Sequence, residues 1–149
     1  MSEGETAEIT GENKRMIGVR IHVLARLMRN RFDRLVASLN ITRSQWQMIA
    51  MVSRNPGATQ RTIAEALEMS EASAGRLIDR LCADGLLERQ ERYDDRRARA
   101  VYVTKAAEPL MANLAEIAKS SEKTLFRDFS EDDLERLQDY LDRLYRNLS

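Results

Sequence analysis

Only one stretch of this 149-residue chain leaves helical periodicity, and that stretch narrows the folds open to it. Leu87, Arg89 and Glu91 lead into Tyr93-Asp94-Asp95-Arg96-Arg97, and Arg99, Val101 and Val103 lead out, alternating with Ala100 and Tyr102. A period of two on both sides of a charged turn predicts a β-hairpin with an arginine-rich tip. Elsewhere the apolar residues recur at steps of three and four, as on helices. Six glycines, two prolines and 32% charged residues fit long amphipathic helices and exclude a sandwich or a disordered chain.

From Met16 to Leu39, the residues Ile17, Ile21, Leu24, Met28, Leu35 and Leu39 make one stripe of a long helix. Thr42 and Gln45 form a capping box for a second helix carrying Trp46, Ile49 and Val52, which stops before Asn55-Pro56-Gly57. Thr59 caps a short third helix, 60–67, and Glu68-Met69 is a tight connector. Ser70 caps a fourth, with Ala74, Leu77, Ile78 and Leu81 inward and Gly85 at its end. After the hairpin, Thr104 caps a fifth helix with Leu110, Leu114, Ile117 and Leu125. Ser130, with Asp133 in the first turn, caps a sixth with Leu134, Leu137, Leu141, Leu144 and Leu148. The expected fold is mainly α with a small β-hairpin wing.

Net charge is zero, but residues 1–12 carry −4, residues 13–53 carry +7 and residues 106–149 carry −4. A basic first half between acidic ends fits a polyanion-binding surface, and equally fits exposed helix faces of uneven charge. The longest apolar run, Met48 to Val52, is far below the ~20 residues of a membrane span. No basic residue precedes Lys14, unlike a secretory leader, so the expected location is the cytoplasm with no membrane partner. One cysteine, Cys82, and one histidine, His22, cannot assemble a disulfide or a metal site. No nucleophile–base pair can be built without them, so the chain reads as a non-enzyme without a cofactor.

Two short helices joined tightly, the second capped by serine and followed by a basic hairpin, form a winged helix-turn-helix pattern. Such a motif lays the N-terminal residues of its second helix against base edges in the major groove. On the fourth helix Ser70, Glu71, Ser73, Arg76 and Arg80 lie away from the apolar stripe. A plain amphipathic helix would also show that polar face. The hairpin adds Arg96, Arg97 and Arg99, suited to a narrow, negatively polarised minor groove, with Asp95 able to aim a neighbouring arginine. An isolated surface Asp–Arg pair is common and of little energetic weight.

Residues 24–33, Leu-Ala-Arg-Leu-Met-Arg-Asn-Arg-Phe-Asp, and Leu39-Asn-Ile-Thr-Arg-Ser-Gln-Trp46 resemble the opening of MarR-family transcriptional regulators. Leu81-Cys-Ala-Asp-Gly-Leu-Leu-Glu-Arg-Gln90, Asp95-Arg-Arg-Ala98 and Val103-Thr-Lys105 resemble that family's recognition-helix end and wing. Trp46 and Lys105-Ala-Ala-Glu-Pro-Leu110 are most similar to its SlyA branch. The resemblance spans 14–148 and implies a winged-helix homodimer on double-stranded DNA, with a DNA-binding lobe at 42–104. It assigns 14–39 and 105–148 to dimerisation helices and leaves 1–13 as an acidic, flexible N-terminus. It also implies that Ser70, Glu71, Ser73 and Arg76, with Arg80 beside them, meet the major groove. Arg97 would enter the minor groove beside Arg96, supported by Asp95. Small aromatic acids bind many relatives, and Arg26, Arg29, Ser44 and Trp46 fall on positions similar to that pocket. Here Ala50 stands where SlyA-like pockets can offer a polar side chain.

Read without the resemblance, Trp46 suits core packing as well as a pocket. Cys82 suits a small buried hydrophobe better than a redox sensor. The leucine stripes of 110–148 permit a monomeric core, a coiled-coil partner or a dimer. The expected function is a sequence-specific, homodimeric DNA-binding repressor on a palindromic operator. The alternative is a helical protein–protein adaptor that binds no DNA.

Overall fold

The computed structural model describes residues 3–91 and 99–149. The first helix, α1, is Glu3–Val36, followed by a 3-10 turn at Ala37–Leu39. It therefore begins well before Met16, at Glu3, within the acidic stretch read from the sequence as an N-terminal segment. No proline interrupts that stretch, and acidic residues suit the positive end of a helix dipole. Asn40 ends the run in the left-handed region, at φ 53°, where asparagine is among the few tolerated non-glycine residues.

Helix α2 is Arg43–Arg54, with the capping box of Thr42 and Gln45 formed on both sides. Helix α3, Gln60–Ala66, is capped by Thr59, and helix α4, Glu71–Ala83, by Ser70. Strands β2, Leu87–Glu91, and β3, Arg99–Val103, pair antiparallel with Leu87 opposite Val103. A strand too short for any periodic signal precedes them: β1, Ala58–Thr59, pairs with β3 and makes the sheet order β1-β3-β2. Gly57 makes this possible. Its φ is +84°, its N–H donates to the Val101 carbonyl at 3.0 Å, and a Cβ there would meet Tyr102 Oη at 2.9 Å.

Helix α5 is Glu108–Leu125 and α6 is Glu131–Leu148, the latter opened by a capping box of Ser130 and Asp133. Thr104 does not cap α5 as expected. A 3-10 turn, Lys105–Ala107, intervenes, and the Thr104 hydroxyl donates instead to the Gly85 carbonyl at 2.5 Å, tying the end of β3 to the turn after α4. The core lies between α2, α3, α4 and the sheet: Met48, Ile49 and Val52 of α2 meet Ile63, Ile78, Leu81, Leu87 and Val101. Val36 from α1 and Leu114 from α5 reach into it. Helix α6 buries none of its residues, and the apolar side chains of α1 from Met16 to Met28 remain largely exposed.

Candidate nucleic-acid interface

The polar face of α4 is organised from its first turn. Ser70 Oγ accepts the Ser73 N–H at 3.1 Å, and the two hydroxyls lie 2.9 Å apart. Arg76 Nη2 donates to Ser73 Oγ at 3.2 Å, which draws the guanidinium toward the helix N-terminus. Ser70, Glu71, Arg76 and Arg80 are exposed and Ser73 half-buried, opposite the buried Ala74, Ile78 and Leu81. Ser73, Arg76 and Arg80 follow steps of three and four, so one helical face holds them. An N-terminus with free N–H groups and a cationic face receives anionic phosphate and base-edge acceptors.

The orientation of α4 rests on residues that sequence reasoning missed. Gln60 Nε2 donates to the Glu71 carbonyl at 3.1 Å, bridging α3 to the start of α4. Arg89, on β2, donates to Asp79 Oδ1 at 2.5 Å, to Gln60 Oε1 at 3.3 Å and to the Gly75 carbonyl at 3.4 Å. One half-buried guanidinium thus links the hairpin base to both helices of the motif. Gly75 is buried, and a Cβ on it would meet Gln60 Nε2 at 2.8 Å, so glycine permits this close approach. These partners stand 10 to 29 residues apart, which leaves no local pattern to read. Asp95, Arg96 and Arg97 lie outside the described residues; Arg99, at the start of β3, is exposed.

A cleft of about 580 Å³ opens between α1 and α5, lined by Leu24, Leu27, Met28, Phe32, Leu125 and Trp46, with Arg29, Arg31 and Glu122 at its polar side. Arg31 Nη2 donates to Thr124 Oγ1 at 3.3 Å across it. Of the four residues expected to form a ligand pocket, the fold brings Arg29 and Trp46 together here. Arg26 and Ser44 are exposed and do not line it. Trp46 also borders a smaller groove of about 300 Å³ with Gln47, Ala50, Arg54, Leu67 and Glu68. The indole is half-buried, packs its ring 4.6 Å from that of Phe32, and donates its N–H to Asp33 Oδ1 at 3.0 Å. It is core and cleft wall at once.

Arg43, at the start of α2, grips the same carboxylate through Nε at 2.6 Å and through Nη2, and donates to Asn30 Oδ1 at 2.9 Å. The Arg43 hydrogen bond, reinforced by the Trp46 N–H, outweighs desolvation and holds the Asp33 carboxyl below its ordinary pKa. The Arg43 guanidinium is raised in return. Burial pushes the half-buried Cys82 thiol up, against the opposing charge of Arg89.

A model of the MarR family matches residues 39–98, the helix-turn-helix and its approach to the wing. The structure of the transcriptional regulator SlyA is 27% identical, with a TM-score of 0.75 over 89% of this chain and 93% of its own. Over residues 39–98 this chain is similar to the MarR family, and its fold is similar to that of SlyA. The structure of MarR is similar at 25% identity and a TM-score of 0.69, over 89% of this chain and 96% of that one. These similarities do not single out the SlyA branch. A MarR family transcriptional regulator from Listeria monocytogenes, solved with a 26mer DNA, is similar in fold at 20% identity, a TM-score of 0.76 and coverage of 87% and 86%. For this chain the similarity carries the mainly helical fold with its small antiparallel sheet and the class of transcriptional regulators rather than enzymes. No helix among the described residues is long and apolar enough to cross a membrane.

Proposed function

We propose that this chain is a homodimeric, sequence-specific repressor of the MarR family that binds a palindromic operator in double-stranded DNA. The observation that carries it is the α4 face on which Ser70, Ser73 and Arg76 are hydrogen-bonded into one exposed, cationic array. In this reading 42–104 is the DNA-binding lobe and α4 the recognition helix, with Glu71 and Arg80 flanking the array. Asp95, Arg96 and Arg97 form the wing tip that approaches the minor groove. The helices of 14–39 and 105–148 join two copies, which accounts for apolar side chains on α1 and α6 left exposed among the described residues. An aromatic carboxylic acid occupies the α1–α5 cleft, its ring on Trp46 and its carboxylate on Arg29. An adaptor without DNA contact would leave both the α4 array and the arginine-rich hairpin without a role.

The test is recovery of fragments bound from total genomic DNA at moderate salt. Enrichment of one palindromic sequence supports the reading and reports the half-site length. Uniform recovery, or none at any salt concentration, overturns it.

A further inference from the structure

Two bodies meet in this chain through a narrow contact. Helix α1 packs along α5, whereas α2 packs on α3, α4 and β3. Between them stands Asp33. One carboxylate oxygen accepts the Trp46 indole N–H at 3.0 Å, and the other accepts Arg43 Nε at 2.6 Å. Both donors sit in the first turn of α2, while Asp33 and Asn30, the second acceptor for Arg43, sit on α1. Val36 and Phe32 add apolar contact beneath the same turn.

We infer that Asp33 is a positioning residue that sets the angle of the DNA-binding lobe on α1, and with it the separation of the two recognition helices. The physical reason is geometric. Apolar packing is non-directional and tolerates tilt, whereas a carboxylate held from two sides by a guanidinium and an indole fixes both distance and direction. The donors approach separate oxygens, so rotation of α2 about its own axis lengthens one bond or the other. A dimer reading two half-sites needs such a constraint, because half-site spacing mirrors the separation of the recognition helices. The inference rests on the DNA-binding reading for its consequence, but not for its geometry.

Two measurements keep those apart. Spin labels at His22→Cys on α1 and Ala83→Cys on α4, in a Cys82→Ala background diluted into unlabelled protein, read the distance between the two bodies within one chain. The parent protein should give a single narrow distance. Asp33→Asn, which keeps the shape of the side chain and loses the charge, and Trp46→Phe, which removes the indole donor, should both broaden or displace it while helix content stays unchanged. An unaltered distribution in both variants overturns the inference, whatever the protein does with DNA. On duplexes, the parent should prefer the cognate spacing over one lengthened by a base pair by about tenfold, and Asp33→Asn should reduce that preference to about threefold. Equal loss on both spacings would make Asp33 merely stabilising and also overturn it. Failure of the parent to bind any duplex would overturn the DNA-binding reading, leaving the distance measurement to decide the role of Asp33.

Discussion

In the proposed DNA-binding reading, Arg76 and Arg97 divide the contacts by where each can reach. Arg76 sits about two turns into α4, drawn toward the N-terminus by Ser73, at a place where a guanidinium meets guanine O6 and N7. Arg76→Ala should cost about 1–3 kcal/mol on the cognate site and relax preference at one base pair per half-site. Arg97 lies outside the described residues, and the same reading gives it the minor groove, where the base pattern is degenerate. Arg97→Ala should weaken cognate and scrambled duplexes alike and lower the salt slope. Titrations of both variants at two salt concentrations check this; a loss confined to the cognate site for Arg97→Ala, with none for Arg76→Ala, would reverse the assignment. Cys82 offers a second residue-scale expectation. Burial raises its thiol pKa, so the neutral form persists at physiological pH. Iodoacetamide should modify it about tenfold more slowly than a free thiol, with full reactivity restored on unfolding.

At the scale of elements, α3 and α4 are held at close range by a glycine and a glutamine. Gly75→Ala gains about 0.8–1 kcal/mol of helix propensity. It also drives the Gln60 amide away, its Nε2 lying 2.8 Å from the new Cβ, breaking the Nε2 bond to the Glu71 carbonyl and the bond its Oε1 accepts from Arg89. Each lost bond costs about 0.5–1.5 kcal/mol. Stability should therefore change little, while DNA affinity falls because α4 is displaced. A melting curve beside a binding titration separates the two; unchanged affinity would show that Gln60 does not orient the helix. Helix α6 carries an acid-sensitive start. The Ser130 N–H donates to the Asp133 carboxylate at 3.0 Å and holds its pKa below the ordinary 3.8. A depressed folded pKa means this stabilisation is present above 3.8 and is lost as pH falls through the folded value. Helix content followed by circular dichroism into acid should show this loss, and Asp133→Asn should remove that part of the pH dependence.

For the whole molecule, the decisive surface is the apolar one left exposed among the described residues. Leu141, Leu144 and Leu148 on α6 are 45%, 44% and 91% exposed, and Ile17, Leu24 and Leu27 on α1 are about as open as the first two. Apolar faces of this extent mark partner surfaces, and a closed two-fold dimer buries the same patch on both copies. Sedimentation should give about twice 17.1 kDa. Leu141→Glu with Leu144→Glu should shift the chain to monomer and abolish tight operator binding, since two half-sites are then no longer read together. A parent protein that sediments as a monomer at micromolar concentration would remove both the dimer and the expectation of a palindrome.

The amino-acid order alone determined what depends on neighbours in the chain. The capping residues Thr42, Thr59, Ser70 and Ser130 act on N–H groups three positions away, and the period-two stretch around the hairpin records alternate burial on a pleated surface. Tertiary structure decided everything that joins distant positions. Strand β1 has two residues and exists only because β3 offers it an edge. Thr104 abandons the expected cap because the Gly85 carbonyl lies within reach across 19 positions. Arg26 and Ser44 read as pocket residues beside Arg29 and Trp46, yet the turn of α1 and the entry to α2 leave them outside the cleft. Asp33, Arg43, Gln60 and Arg89 read as ordinary surface charges and amides, and folding makes them the joints of the molecule. A hydrogen bond is set by distance and direction in space, and sequence spacing encodes those only within a turn of helix or across one hairpin.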